Sequence, residues 1–116
     1  MSPTSTNRLT TALSTWLLVE GIWGMTSPVV FGIFTTNRVH AAIHLVLALW
    51  GLKAAFTSGA RGFLWAFSVI MILAGALYFI PGGRQWTDLL AINQAVAVLN
   101  LILGGLALWC AARCNH

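Results

Sequence analysis

Residues 63–80 read FLWAFSVIMILAGALYFI, a run without a charged residue or a proline. At about 1.5 Å per residue, a helix of that length approaches the ~30 Å thickness of a bilayer's hydrocarbon core. Working outward, residues 9–26, 39–57 and 89–112 form three more apolar runs of comparable length. The breaks between runs carry turn chemistry: Ser27-Pro28, then Thr35-Thr36-Asn37-Arg38, then Ser58-Gly59-Ala60-Arg61-Gly62, then Pro81-Gly82-Gly83-Arg84-Gln85. The expected fold class is all-α, with residues 1–116 forming a single four-span transmembrane domain, an integral membrane four-helix bundle. Residues 29–34 are too short to span and too apolar for an open loop, so they are expected at the interface or as a cap on the bundle.

Composition agrees with lipid as the main solvent. Of the 116 residues, 59% are hydrophobic and 7% are charged, and the mean hydropathy is +0.85, too little polar surface for a domain facing water. The net charge of +4 comes from basic residues placed singly between apolar runs, in neither a stripe nor a tail, so no nucleic-acid partner is expected. Arg8 followed by an apolar run resembles a signal peptide, but no convincing small-x-small cleavage site follows, and the first segment is expected to be retained.

With four spans, Arg8, Lys53, Arg61 and Arg113 share one side, against Arg38 and Arg84 on the other, where Asp88 lowers the positive charge further. The positive-inside rule then puts both termini in the cytoplasm of a multi-pass protein of the cell's inner (plasma) membrane. Trp16, Trp65 and Trp109 are expected near the inner boundary and Trp86 near the outer one. Trp23 and Trp50, deeper, are expected to pack within the bundle.

Asn37-Arg-Val-His-Ala-Ala-Ile-His-Leu lies over Asn93-Gln-Ala-Val-Ala-Val-Leu-Asn-Leu, matching Asn37 with Asn93 and His44 with Asn100. That overlay points to two helix-pair repeats, parallel about an axis along the membrane normal.

Glu20 lies within the first apolar run, where an ionised carboxylate costs about 2.5–3.5 kcal/mol on insertion scales, and so must face other helices. Counting from the outer boundary puts Glu20, His44 and Asn100 at similar depth, with His40 one turn above His44 on the same helix face. The intramembrane polar cluster is thus expected to comprise Glu20, His40, His44, Asn37, Asn93 and Asn100. Its bland reading is an interhelical tie worth about 0.6–2 kcal/mol per bond; its functional reading is a site for a proton, cation or head group.

His40, His44 and Glu20 could supply three ligands to zinc, but two histidines one turn apart are a weak signal, and haem would want histidines on facing helices. Cys110 and Cys114, with His116, are a second such trio at a fraying helix end. Neither a metal nor another cofactor is expected, and the two cysteines are expected to be free thiols. Small residues four apart, as in Gly51 and Ala55, Ala91 and Ala95, and Ala107 and Ala111, allow close helix approach within the bundle or in a homo-oligomer. No phosphate loop, no G-x-S-x-G and no paired carboxylates occur, so an enzyme is not expected.

From Val19-Glu-Gly-Ile-Trp-Gly through Asn37-x-x-His40-x-x-x-His44-Leu to the closing Gly51-Leu52, the chain resembles an uncharacterised bacterial family of small four-helix integral membrane proteins. The resemblance implies topology and no activity. Where such proteins often carry a histidine in the fourth helix, this chain has Asn100. Small multidrug transporters are similar in length and span number and use a first-span glutamate, as Glu20 would be, but their later motifs are absent here. The expectation is therefore a non-enzymatic accessory or assembly component with the lipid bilayer and a membrane-complex partner or second copy around it. A small proton-coupled transporter using Glu20 is the alternative.

Overall fold

The computed structural model describes residues 4–114. Helix α1 (Ser5–Gly24) is followed by a hairpin of two short strands, β1 (Val29–Val30) and β2 (Phe34–Thr35), then helices α2 (Arg38–Ala55) and α3 (Ala60–Phe79). A one-turn helix α4 (Arg84–Thr87) and a 3-10 turn (Asp88–Leu90) lead into α5 (Gln94–Arg113). The described chain is thus mainly helical, as expected of an all-α protein.

Local chemistry accounts for the helix starts. The side chains of Thr4, Asn37 and Asn93 each accept from a backbone N–H three residues on and cap α1, α2 and α5. The expected apolar run at 89–112 becomes helix only from Gln94, because Ala91 adopts a left-handed conformation (φ 53°) that breaks the run. Ala91 and Ala95 are therefore not a helical small-residue pair. Residues 29–34 fold as an antiparallel hairpin, Val29 opposite Thr35 and Val30 opposite Phe34, with Phe31 and Gly32 both at positive φ in its turn.

The helices pack as two antiparallel pairs, α1 with α2 and α3 with α5, and the pairs meet chiefly where α3 lies against both α1 and α2. Glycine makes each pair close. A Cβ on Gly21 would lie 3.1 Å from the Ala41 carbonyl oxygen, and one on Gly75 would lie 2.7 Å from that of Ala97. The next contacts also correspond, with Leu45 beside Gly21 and Leu101 beside Gly75.

The interior mixes small polar and small apolar side chains with larger apolar ones. Thr6, Thr10, Ser14 and Ser68 are fully buried, together with small residues such as Ala41, Ala48, Ala97 and Ala107, around a core of Leu13, Leu17, Phe63, Leu64 and Phe67. Large apolar side chains line the outside, among them Val46, Leu49, Val69, Leu73, Ile102 and Trp109, each more than half exposed. Helices α3 and α5 are each long and apolar enough to cross a membrane, judged by length and composition.

Three aromatic placements differ from expectation. Trp16 stacks on Phe31 of the hairpin, ring centroids 5.4 Å apart and planes 4° apart, and so engages the connection at the opposite end from the basic residue Arg8. Trp23 and Trp50 are not enclosed among helices; each is partly exposed and meets one aromatic ring, Phe31 and Phe63 respectively. Trp65, Trp86 and Trp109 are exposed.

The cysteines also differ. Cys110 and Cys114 are joined in a disulfide rather than held as free thiols. The helix ends at Arg113, and Cys114 turns out to an extended conformation (ψ 154°), leaving the two Cα atoms 4.7 Å apart, within the range a disulfide bridges. His116 lies outside the described residues.

Candidate functional site

Burial and helix packing bring four of the six polar residues singled out above to one place. Gly21, by letting α1 approach α2, sets the preceding Glu20 against His44, three residues past Ala41. The His44 Nδ1 lies 3.3 Å from Glu20 Oε2, both side chains being more than nine-tenths buried.

His40, one turn along α2, meets His44 edge to face at 4.3 Å between ring centroids. Its Nδ1 lies 3.0 Å from the Leu90 carbonyl oxygen, and since a carbonyl only accepts, Nδ1 carries the hydrogen and donates. The line Glu20, His44, His40, Leu90 thus runs from α1 through α2 to the connection preceding α5.

Asn100 is 3% exposed and, with His40 and His44, lines a cavity of about 40 Å³. No hydrogen bond of its side chain is found among the described residues. Sequence depth therefore located Asn100 beside the histidines, but without a direct bond to them.

Asn37 and Asn93 belong elsewhere. Each caps its own helix, and each donates its side-chain N–H to the opposite connection: Asn37 to the Leu89 carbonyl at 2.8 Å, Asn93 to the Ile33 carbonyl at 2.9 Å. Thr35 donates to the Ala91 carbonyl in the same seam. These residues lock the two connections together above the cluster.

Two further features escaped sequence reasoning. The Leu90 carbonyl, a backbone group, has no sequence signal. Thr10 and Ser14 are buried with hydroxyls that find no partner among the described residues, whereas Ser68 and Thr57 bond back to their own helices as expected. Buried hydroxyls normally do find one, and their spacing on α1 was the available clue. Among the described residues no three His, Cys, Asp or Glu side chains converge as a metal site requires.

Together, the helix pairs, the two apolar helices able to cross a membrane and the buried acid–imidazole line define a helical protein built around an interhelical polar tie. The chain belongs to the family described as a domain of unknown function, DUF4383, whose model matches residues 19–112. No curated protein and no solved structure matches it.

Proposed function

We propose that this chain is a small integral membrane protein that crosses the bilayer four times, as two parallel helix-pair repeats, with both termini in the cytoplasm. Its role is non-enzymatic, as an accessory or assembly component. The placement of large apolar side chains on all four long helices toward the outside supports the four spans, since proteins in water rarely expose contiguous apolar surface of this extent. Arg8, Lys53, Arg61 and Arg113 gather at one end of the helix pairs and Arg38 and Arg84 at the other, which supports the orientation.

The observation that carries the role is the route of the polar line. The side-chain polar contacts of Glu20 with His44 and of His40 with the Leu90 carbonyl join one packing element to another, from α1 to α2 and from α2 to the connection before α5. Such bonds fix helix register, as polar residues between membrane helices do. The test is replacement of Glu20 by Gln, which keeps a hydrogen-bonding side chain of the same shape. Unchanged abundance, unchanged thermal stability in detergent and an unchanged growth phenotype are expected; loss of a phenotype at unchanged abundance overturns the role.

The transporter reading draws on one specific observation, a buried carboxylate beside a histidine pair that adjoins a cavity. It forecasts the opposite result for the same substitution, together with proton-coupled uptake in vesicles.

A further inference from the structure

The two helix pairs correspond through their tightest contacts, Gly21 on Ala41 and Leu45, Gly75 on Ala97 and Leu101. One residue before each glycine stands Glu20 in the first pair and Ala74 in the second. Three residues after each alanine stands His44 in the first pair and Asn100 in the second. In the first pair the buried polar residue of the second helix is met by a carboxylate 3.3 Å away. In the second pair the carboxylate's place is taken by a methyl group, and Asn100, 3% exposed, has no hydrogen-bond partner among the described residues.

The cavity of about 40 Å³ that Asn100 lines is also bounded by Ala74, at the place where the missing side chain would be. Its walls continue outward. Ile70, Ala74, Leu90 and Ile92 border both this cavity and an open apolar groove of about 360 Å³ along the outer side of α3. Buried carboxamides are almost always satisfied, so an unpaired one at the inner end of an apolar groove marks a place for a ligand.

We infer that this is a binding site for an uncharged, lipid-soluble molecule with a single oxygen head, a carbonyl or a hydroxyl, on an apolar ring or chain. The head bonds Asn100 and the body lies in the groove. Asn100 both donates and accepts, so it serves either head. A charged head is excluded by what surrounds it: Glu20 is engaged by His44, His40 by Leu90, and α3 and α5 contribute only Ile70, Met71, Ala74 and Asn100 to the walls. No free charge is at hand to offset the desolvation of an ion. A cavity of this size admits an oxygen-sized group, and Leu73 and Leu77 on the groove wall suit hydrocarbon. The inference rests on the membrane reading, because the groove would be filled from the hydrocarbon phase.

The test is equilibrium binding to the purified full chain in detergent. The probes are tritium-labelled 2-dodecanone, 1-dodecanol and, as a headless control, dodecane. Saturable binding of one molecule per chain is expected for 2-dodecanone or dodecanol, the preferred probe telling carbonyl from hydroxyl. Affinity should fall at least tenfold in Asn100→Leu, which removes the bond. It should fall similarly in Ala74→Glu, which restores the first pair's carboxylate and fills the cavity. Helix content by circular dichroism confirms folding of both variants, and if Ala74→Glu does not fold, Asn100→Leu alone decides. No saturable binding of either headed probe, or binding equal in wild type and Asn100→Leu, overturns the site, as does dodecane binding as well as the headed probes. Binding in detergent does not depend on how the chain crosses a bilayer, whereas alkaline extraction of cell membranes tests that separately.

Discussion

Asn37 and Asn93 each hold the other's approach segment: Asn37 donates to the carbonyl four residues before Asn93, and Asn93 to the carbonyl four residues before Asn37. Each side chain meanwhile accepts from the N–H of the third residue on, at 2.9 Å in both cases. One carboxamide thus does two jobs, starting its own helix and clamping the opposite pair.

Replacing either asparagine by alanine removes a cap and a cross-connection bond together. A cap is worth about 0.5–2 kcal/mol and a net hydrogen bond about 0.5–1.5, so each variant should lose about 1–3 kcal/mol. Serine keeps the cap but is too short to reach across, and should recover about half of the loss. Thermal unfolding in detergent of Asn37→Ala, Asn37→Ser and the matching Asn93 variants checks this; serine variants as unstable as alanine ones would show that the caps contribute little.

Much of this was legible because it is local. The apolar runs located four long helices, the asparagines preceding two of them are favoured cap residues, and counting residues from the outer boundary brought Glu20 to the level of His44. What was not legible is non-local or lacks a sequence signal. Val29 to Thr35 shows no alternation of polar and apolar residues, so nothing announced strands of two residues each. Ala91 takes a left-handed conformation that alanine rarely adopts, and so the start of α5 was placed too early. Trp16 is expected near the inner boundary, yet its partner is Phe31, on a hairpin that folds back along α1. Asn37 and Asn93 were grouped with the cluster by proximity in sequence to His40 and by the overlay, whereas their amides bond the connections.

The Glu20 and His44 pair separates the two functional readings when its partners are removed one at a time. His44→Ala leaves Glu20 buried without its imidazole, and a loss of about 0.6–2 kcal/mol is expected from the lost interhelical bond. Glu20→Gln should stay within measurement error of wild type. Reconstituted vesicles carrying a pH-sensitive dye supply the other arm: an imposed potential should drive no more proton entry with protein than without. Protein-dependent entry that Glu20→Gln abolishes would instead establish the transporter.

Cys110 and Cys114 report orientation. The bond that joins them in the structure stands open in the cell if the termini lie in the cytoplasm, a compartment that keeps thiols reduced. Alkylation of denatured protein from growing cells should then label both cysteines, and brief treatment of the cells with diamide should close the disulfide and abolish labelling. A pair already closed in untreated cells would place this end of the helices on the oxidising side and reverse the topology.

Val69 and Ile102 test the solvent itself. Each lies near the middle of its helix, α3 or α5, and is more than 60% exposed. On a protein in water, lysine at such a position changes stability by roughly 0.5 kcal/mol or less. At the centre of a membrane span the same ammonium costs about 2.5–3.5 kcal/mol on insertion scales. Val69→Lys and Ile102→Lys are therefore expected to reduce the amount of chain recovered in the alkali-resistant membrane fraction severalfold, with the double variant lower still. Lysine at Arg61 or Arg113, at the helix ends, should leave recovery unchanged, since the charge there is kept and already lies at the boundary. Equal recovery of the four single variants in that fraction, all of them folded, would mean that the exposed apolar faces are covered by protein rather than by lipid.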